Sequence, residues 1–157
     1  MGIRKRIKLD PHFKEFIALL NSEGVRYLLL GGYAVNYYGH QRFTGDIDFW
    51  ISTDIANAER VSAALQRFAF PAESVPPEQF TVPNKVHIFG VIPARVDLLT
   101  GPSGVDFEEC YARRVVSQID GIELSIISLE DLWKNKEASG RDKDLSDLKH
   151  LPKPNQT

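Results

Sequence analysis

Residues 28–51, which read LLLGGYAVNYYGHQRFTGDIDFWI, predict a strand, a glycine turn, a short helix, a loop and a second strand. The apolar run before Gly31-Gly32 is typical of a strand buried on both faces. In the second strand Asp46 and Asp48 are separated by one residue, and the two-residue period of a strand sends both carboxylates to the same face. We therefore expect two acidic side chains next to each other on an otherwise apolar strand.

Asp46 and Asp48 suggest a site for a divalent metal ion. Adjacent carboxylates repel each other unless a cation lies between them, and a hard ion with oxygen ligands is the usual solution. A lone acid-x-acid pair is more often a solvated face of an edge strand. Asp97, in the otherwise apolar run RVDLLT at residues 95–100, is a third acid. If its strand lies beside the first, three carboxylates converge, as a two-metal site for phosphoryl displacement requires; an exposed edge acid is the alternative.

The Gly31-Gly32 turn is a candidate phosphate-binding site. It ends a buried strand and opens a helix, so backbone N–H groups and the positive end of a helix dipole lie unshielded there. A plain tight turn explains two glycines equally well. The order of the elements favours phosphate binding, because the loop after the short helix carries Arg42 and Thr44 and leads into the acidic strand.

The rest of the chain alternates between helical and extended patterns, which predicts an α/β (α+β) domain. Apolar spacing and capping residues predict the helices, and short apolar runs between turn residues predict the strands. The predicted helices cover residues 11–23, 33–38, 55–70, 107–113, 129–139 and 142–151, and the predicted strands cover residues 25–30, 46–52, 85–90, 94–100, 115–119 and 122–127. Residues 71–83, which hold four prolines, are predicted to be irregular.

The composition fits one soluble domain over residues 1–157. Of the 157 residues, 43% are apolar and 25% charged, and a chain of this length buries a core without disulfides. The single Cys110 cannot form an internal disulfide, which favours a reducing, cytoplasmic setting. A net charge of -2 excludes a bulk positive field for nucleic acid, so any such contact is local. No apolar run is long enough to span a membrane.

Both ends of the chain are expected to lie outside the packed domain. Residues 1–9 form a basic arm with Arg4, Lys5, Arg6 and Lys8, which is either a solvated, frayed terminus or a segment that contacts RNA. Residues 152–157, PKPNQT, are predicted to be a disordered tail.

The glycine turn, the acidic pair and Asp97 together resemble the signature of the DNA polymerase beta-like nucleotidyltransferase superfamily. In that superfamily a Gly-Gly or Gly-Ser turn precedes an acid-x-acid strand, and a third acid follows on a later strand. The run SLEDLWKNKEASGRDKDLSDLKHL at residues 128–151 is similar to the helical segment of small bacterial members, including toxin components of the abortive-infection AbiEii type. In the helical segment of those members a Lys precedes an Arg and spaced acids. The residues of this sequence that match the pattern are Lys136, Arg141, Asp144 and Asp147.

The resemblance spans about residues 25–151 and implies a nucleotidyltransferase fold. This fold has a mixed β-sheet flanked by helices, with C-terminal helices packed near the active site. It also implies transfer of a nucleoside monophosphate from an NTP to an acceptor hydroxyl, with release of pyrophosphate. Asp46 and Asp48 would hold two Mg²⁺ ions, or Mn²⁺ in their place. Asp97 would act on the side of the attacking acceptor hydroxyl and take the proton of that hydroxyl. The triphosphate would be bound by Gly31, Gly32, Arg42, Thr44 and Lys136, and Arg141 would pair with phosphate or with the acids.

The sequence departs from the superfamily pattern in two ways, and each changes what the resemblance implies for this protein. Gly32 stands where many relatives have Ser, so triphosphate binding depends more on backbone N–H groups and basic side chains. No evident acceptor-binding module follows Leu151. The acceptor, RNA or protein, would therefore meet an open groove, a homo-oligomer or a cognate partner protein such as the other half of a toxin–antitoxin pair.

The predicted roles have alternatives at the level of residues and of function. Lys136 and Arg141 are either triphosphate ligands, in which case Lys136→Ala weakens NTP binding with stability nearly unchanged, or an ordinary solvated pair. A loop histidine such as His40 is more often incidental than a proton-transfer group, and Cys110 forms no zinc-ligand spacing with the histidines.

Two alternative functions remain open. A noncatalytic nucleotide-binding or antitoxin-like partner would not need an intact acid triad. A metal-dependent phosphohydrolase would not need the glycine turn.

Overall fold

Six helices and six strands make up the described part of the chain, residues 7–102 and 104–154 of a computed structural model. The helices are α1 (Pro11–Ser22), α2 (Gly31–Tyr37), α3 (Ile55–Phe68), α4 (Phe107–Ala112), α5 (Leu129–Ser139) and α6 (Asp142–His150). The strands are β1 (Tyr27–Leu30), β2 (Asp46–Ile51), β3 (Val86–Phe89), β4 (Arg95–Leu99), β5 (Val115–Ile119) and β6 (Ile122–Ile126). Within these residues no helix is both long enough and apolar enough to cross a membrane.

The six strands form one mixed sheet in the order β3-β4-β2-β1-β6-β5. The neighbours β1 and β2 are antiparallel, as are the two hairpins β3-β4 and β5-β6, whereas β4 runs parallel to β2 and β6 runs parallel to β1. The predicted mixed sheet flanked by helices is confirmed. Because β2 lies inside the sheet, the interpretation of Asp46 and Asp48 as the solvated face of an edge strand is wrong.

The two faces of β2 have opposite character, since side chains alternate along a strand. Ile47 and Phe49 are fully buried on one face. There the Phe16 ring of α1 lies against Phe49, with 5.9 Å between ring centroids. Asp46 and Asp48 alternate with these residues and lie on the opposite face of the sheet. The apolar core on one side thus fixes the orientation of the acids on the other.

Helices α5 and α6 pack beside the acidic face. As predicted, Ser128 caps α5, and its hydroxyl accepts a hydrogen bond of 3.1 Å from the backbone N–H of Asp131. Gly140 ends α5 with a φ of 63°, in the left-handed region, so the chain turns directly into α6. Lys136 of α5 and Asp48 of β2 consequently line the same cavity. The expected position of the C-terminal helices is confirmed.

Two local predictions differ from the structure. Helix α2 begins at Gly31 and not at Tyr33, because Gly31 has a φ of 63° and turns the chain from β1 into the helix without a linker. Residues 71–83 are not irregular throughout, since they contain two 3₁₀ turns, Ala72–Ser74 and Pro77–Thr81. The fixed φ of proline suits such turns.

The packed domain extends further toward both ends than the sequence predicts. Ile7 and Leu9 are buried core residues, and the Leu9 backbone N–H donates a hydrogen bond of 3.0 Å to Asp120 Oδ2. The Trp133 indole N–H donates one of 2.8 Å to the carbonyl oxygen of Pro152. These contacts place residues 7–9 and Pro152 against the domain. The other ends of the predicted arm and tail, residues 1–6 and 155–157, lie outside the described residues.

Candidate active site

Three carboxylates converge on the acidic face of the sheet. Strands β2 and β4 are parallel neighbours, and their register sets Asp48 opposite Asp97. Asp46, Asp48 and Asp97 each offer one carboxylate oxygen, and these three atoms lie within 4.8 Å of one another. The convergence that the sequence left conditional is therefore present. We call these three residues the acid cluster.

Asp48 carries an unfavourable negative charge within the acid cluster. Burial, followed by the negative charges of Asp46 and Asp97, raises the pKa of Asp48 to about 7. The positive charges of Lys143 and Lys136 act on Asp48 in the opposite direction and only partly offset this. A carboxylate in such a position is typical of a functional site rather than of a stabilising surface group.

Arg95 supplies a cation to the cluster and was not singled out from the sequence. Its Nε and Nη2 atoms each donate a hydrogen bond of 2.7 Å to the two carboxylate oxygens of Asp97. Nη2 also lies 3.7 Å from Asp46 Oδ2. The signal was available, because residues i and i+2 of a strand share a face and Arg95 precedes Asp97 by two residues.

The donor set of the acid cluster fits a divalent metal ion. All three groups are carboxylates, and hard ions such as Mg²⁺ and Mn²⁺ prefer oxygen ligands. Their oxygens are close enough together to share a metal ion. A guanidinium already lies against two of the three acids, which shows that the cluster attracts positive charge. Asp46, Asp48 and Asp97 are therefore the residues that could hold a metal.

The glycine turn lies directly beside the acid cluster. A Cβ atom on Gly31 would overlap the Asp48 carboxylate, so only glycine leaves room for the acid. A Cβ atom on Gly32 would lie 2.7 Å from Thr44 Oγ1, so the Thr44 side chain fills the space that a larger residue at position 32 would need. The Thr44 hydroxyl donates a hydrogen bond of 3.0 Å to the Asp46 carbonyl oxygen. A hydroxyl thus remains next to the turn although residue 32 is not a serine.

The predicted basic residues already have carboxylate partners. Lys136 Nζ lies 3.0 Å from Asp144 Oδ1 and 3.1 Å from Asp147 Oδ2, and all three side chains are buried. Arg42 donates hydrogen bonds of 2.9 and 3.0 Å to the two oxygens of Asp147. Arg141 pairs with Asp144 at 2.8 Å, yet 67% of its side chain is exposed. The interpretation of Lys136 as part of a solvated pair is wrong, because it is buried.

Two hollows flank the glycine turn and separate the predicted site residues into two groups. A cavity of about 210 Å³ is lined by Gly31, Asp48, Lys136 and Arg141, among others. A larger cleft of about 510 Å³ is lined by Arg42 and Thr44 together with Tyr33, Asn36 and Phe43, among others. The structure therefore groups Lys136 and Arg141 with Asp48 around one cavity, and Arg42 with Thr44 around the other.

The packing of His40 and Cys110 in the structure accounts for both residues. The His40 ring stacks on His150 of α6 with 4.3 Å between centroids, and its Nε2 lies 4.0 Å from Asp147 Oδ1. These partners are more than 100 residues away in the chain, so no local pattern reveals them. Cys110 is fully buried, and burial raises the pKa of its thiol to about 12. This supports a structural role for Cys110.

Comparison with known proteins shows the fold. No family model matches the chain, and no curated protein matches it significantly. The crystal structure of an antigenic nucleotidyltransferase-like protein from Paracoccidioides brasiliensis matches 88% of this chain and 71% of that one, with 17% identity and a TM-score of 0.52. JHP933 from Helicobacter pylori matches 80% of this chain with 18% identity and a TM-score of 0.41, and the match spans 53% of that protein. The match with the Paracoccidioides brasiliensis structure shows that the chain has a nucleotidyltransferase-like fold.

Proposed function

We propose that the protein is a nucleotidyltransferase that transfers a nucleoside monophosphate from an NTP to an acceptor hydroxyl and releases pyrophosphate. The observation that carries this proposal is the position of the three acids beside the Gly31-Gly32 turn, with Asp48, Gly31 and two C-terminal cations around one cavity. The nucleotidyltransferase-like fold supports it. The acceptor oxygen forms a bond to the α-phosphorus, and the bond from that phosphorus to pyrophosphate breaks.

The acid cluster would hold two Mg²⁺ ions, or Mn²⁺ in their place. In this proposal Asp46, Asp48 and Asp97 would hold the ions, with Asp97 serving the side from which the acceptor attacks. When bound, these ions lower the pKa of the attacking hydroxyl and neutralise charge on the leaving pyrophosphate. Asp97 would take the proton of the acceptor hydroxyl as the O–P bond forms.

The glycine turn and the basic side chains would bind the triphosphate. Leu30, which precedes α2, makes no side-chain cap, so the first N–H groups of the helix, at Gly31 and Gly32, are not satisfied by a capping group. Arg141 is exposed enough to turn from Asp144 toward a phosphate in the same cavity. Lys136 would contribute its charge from its buried position. Arg42 and Thr44 would act from the larger cleft.

The acceptor would approach the side of the cluster formed by β3 and β4. In the register of these strands Ile88 lies opposite Asp97, and the side chains of directly opposed residues share a face. Ile88 and Val86 are more than half exposed. Exposed side chains line this side of the acidic face, so an RNA or protein hydroxyl would approach Asp97 from here once the Arg95 head turns away from it. The AbiEii resemblance makes a toxin–antitoxin or abortive-infection component our proposed biological role.

A noncatalytic nucleotide-binding partner is the second candidate. It is favoured by one observation: both oxygens of Asp97 already accept hydrogen bonds from Arg95, so the third acid is not free in this state. Such a protein would bind an NTP at the glycine turn without transferring it.

Labelling separates these functions. The protein is incubated with each α-labelled NTP, Mg²⁺ and cell extract, and the labelled products are identified, with Asp46→Asn as the control. A labelled macromolecule or small acceptor that depends on Asp46 supports the transferase. Release of labelled mononucleotide without an acceptor would point to a phosphohydrolase. NTP binding with no product in any extract would support the noncatalytic partner.

A further inference from the structure

Arg95 and Asp97 form a complete two-point ion pair inside the acid cluster. Nε bonds to Oδ1 and Nη2 to Oδ2, each at 2.7 Å, so the guanidinium uses both oxygens of the carboxylate. The pair is held in place by the sheet, because the two residues lie on the same face of β4 and Arg95 lies opposite Asp46 in the register with β2. This geometry is the strongest form of an arginine–carboxylate contact.

The two partners differ in their access to solvent. Only 8% of the Asp97 side chain is exposed, compared with 30% for Arg95. Asp97 therefore stays in the cluster whatever it binds, whereas the Arg95 head can turn outward into water. A metal ion and the guanidinium both need the Asp97 oxygens and carry the same sign of charge, so they exclude each other there.

We propose that Arg95 is a built-in competitor of the metal: its guanidinium occupies the cation position at Asp97 and leaves when a divalent ion binds there. This inference rests on the proposed function only for the position of the metal. It explains how three converging acids remain together in the metal-free protein. It also means that the acceptor side of the site stays closed to free ions until Arg95 is displaced.

A positioning role for Arg95 makes the opposite prediction. If the guanidinium only orients Asp97 for the metal, its removal loosens the ligand and weakens metal binding. If it competes, its removal frees Asp97 and leaves the cluster one charge more negative, so metal binding becomes tighter. The direction of the change therefore distinguishes the two roles.

The test measures Mn²⁺ binding from the electron spin resonance signal of the free ion, with no nucleotide or acceptor present. We expect Arg95→Gln to bind Mn²⁺ about tenfold more tightly than the wild type, as expected for removal of a nearby positive charge. Arg67→Gln is the matched control, because Arg67 pairs with Glu23 away from the cluster and should leave the affinity unchanged. Arg95→Lys, which keeps the positive charge but cannot make both hydrogen bonds to Asp97 in the same geometry, should give an intermediate affinity.

The comparison is repeated in the Asp97→Asn background. There Arg95→Gln should tighten binding by clearly less than it does with Asp97 present, because the shared ligand is gone and only the loss of a positive charge near Asp46 remains. An unchanged or weaker affinity in Arg95→Gln would overturn the proposal, as would an equal gain in the Asp97→Asn background or absence of Mn²⁺ binding in every variant. If Arg95→Gln does not fold, the direction of the change in Arg95→Lys decides. Since no NTP is used, a protein that fails to transfer nucleotides can still pass this test.

Discussion

Gly31 contacts Asp48 so closely that the carboxylate occupies the space where a side chain at residue 31 would begin. Leu30 is the partner of Asp48 in the β1–β2 register, so the turn starts immediately beside the acid. Gly31 also has a φ of 63°, which residues with a side chain adopt at a cost. The same glycine therefore turns the chain into α2 and leaves the Asp48 carboxylate its place in the acid cluster.

Gly31→Ala should abolish divalent metal binding, because the new methyl group displaces Asp48 from the cluster. Gly24→Ala is a matched control: Gly24 has a φ of 72° but has no neighbouring atom within 4 Å of the added Cβ. Both variants should lose roughly 1 kcal/mol from the backbone conformation. Mn²⁺ titration and urea unfolding measure the two effects. Normal Mn²⁺ affinity in Gly31→Ala would show that the contact does not position Asp48.

Asp48→Asn should raise the melting temperature of the protein in EDTA. Burial and the charges of Asp46 and Asp97 raise the pKa of Asp48 to about 7 from 3.8, so the folded protein holds this proton more tightly than the unfolded chain does. Wild-type stability therefore falls as the pH rises from about 4 to about 7. Asparagine does not ionise, so the variant gains more at pH 8 than at pH 5, up to about 4 kcal/mol at about 1.4 kcal/mol per pKa unit.

Thermal melts of wild type and Asp48→Asn at both pH values test this, with Glu59→Gln on the exposed side of α3 as the surface control.

Asp46→Asn and Asp48→Asn should also abolish nucleotidyl transfer while the protein stays folded. A variant that unfolds, or one that keeps wild-type transfer, would show that the substituted acid has a structural role and not a catalytic one.

The sequence was most informative about elements that local patterns determine. The strand alternation around Asp46, the cap at Ser128 and the break at Gly140 depend on a few neighbouring residues, and all three are found in the structure. The pairing of β2 with β4 could only be stated as a condition, because it joins residues about 50 positions apart. Composition and spacing do not specify such a register.

The surroundings of the basic residues could not be predicted for a related reason. Asp144 and Asp147 look like solvated acids on an amphipathic helix, and only the packing of α6 against α5 buries them around Lys136. Arg95 was accessible to reasoning, since it precedes Asp97 by two residues. Its role depends on the pairing of β4 with β2, which brings Asp46 beside the guanidinium and which the sequence does not specify.

NTP binding should require a divalent ion. A triphosphate carries about four negative charges, and its approach to three carboxylates is strongly unfavourable unless a cation lies between them. Calorimetric titration of NTP should therefore give measurable affinity in Mg²⁺ and little or none in EDTA. The Asp46→Asn variant should depend less on the ion, since one repulsive charge is removed. Equal affinity in Mg²⁺ and EDTA would contradict the two-metal assignment.

Acid should weaken the contact between α5 and α6. Burial alone would raise the pKa of Asp144, but hydrogen bonds from Arg141 and Lys136 outweigh it and lower this pKa to about 2. The charged form is thus favoured by folding, and its contribution, about 2 kcal/mol, is present above about pH 4 and lost as the pH falls toward 2. Urea unfolding at pH 6 and pH 3 should show Asp144→Asn much less stable than wild type at pH 6 and closer to it at pH 3. A gap that is equal at both values would contradict this assignment.

Lys136→Ala should destabilise the protein strongly, which corrects the expectation from sequence that its stability is nearly unchanged. The ammonium group lies between Asp144 and Asp147, both of which are almost completely buried. Its removal leaves two buried carboxylates with less positive charge, and breaking a buried pair in this way costs about 3–5 kcal/mol. Arg141→Ala is the matched comparison and should cost less than Lys136→Ala, because 67% of its side chain is exposed and Lys136 still pairs with Asp144 when Arg141 is removed.

Nucleotide affinity then separates the roles of the two cations. Arg141→Ala stays folded, so a loss of about 1.5–3 kcal/mol in NTP binding in Mg²⁺ would reflect a lost charge-assisted contact with phosphate. Wild-type affinity in this variant would remove Arg141 from the nucleotide site. Lys136→Arg keeps the charge near Asp144 and Asp147 and should retain most of the stability that Lys136→Ala loses. If Lys136→Ala is as stable as wild type, the buried ion network around α6 does not hold the C-terminal helices against the acid cluster.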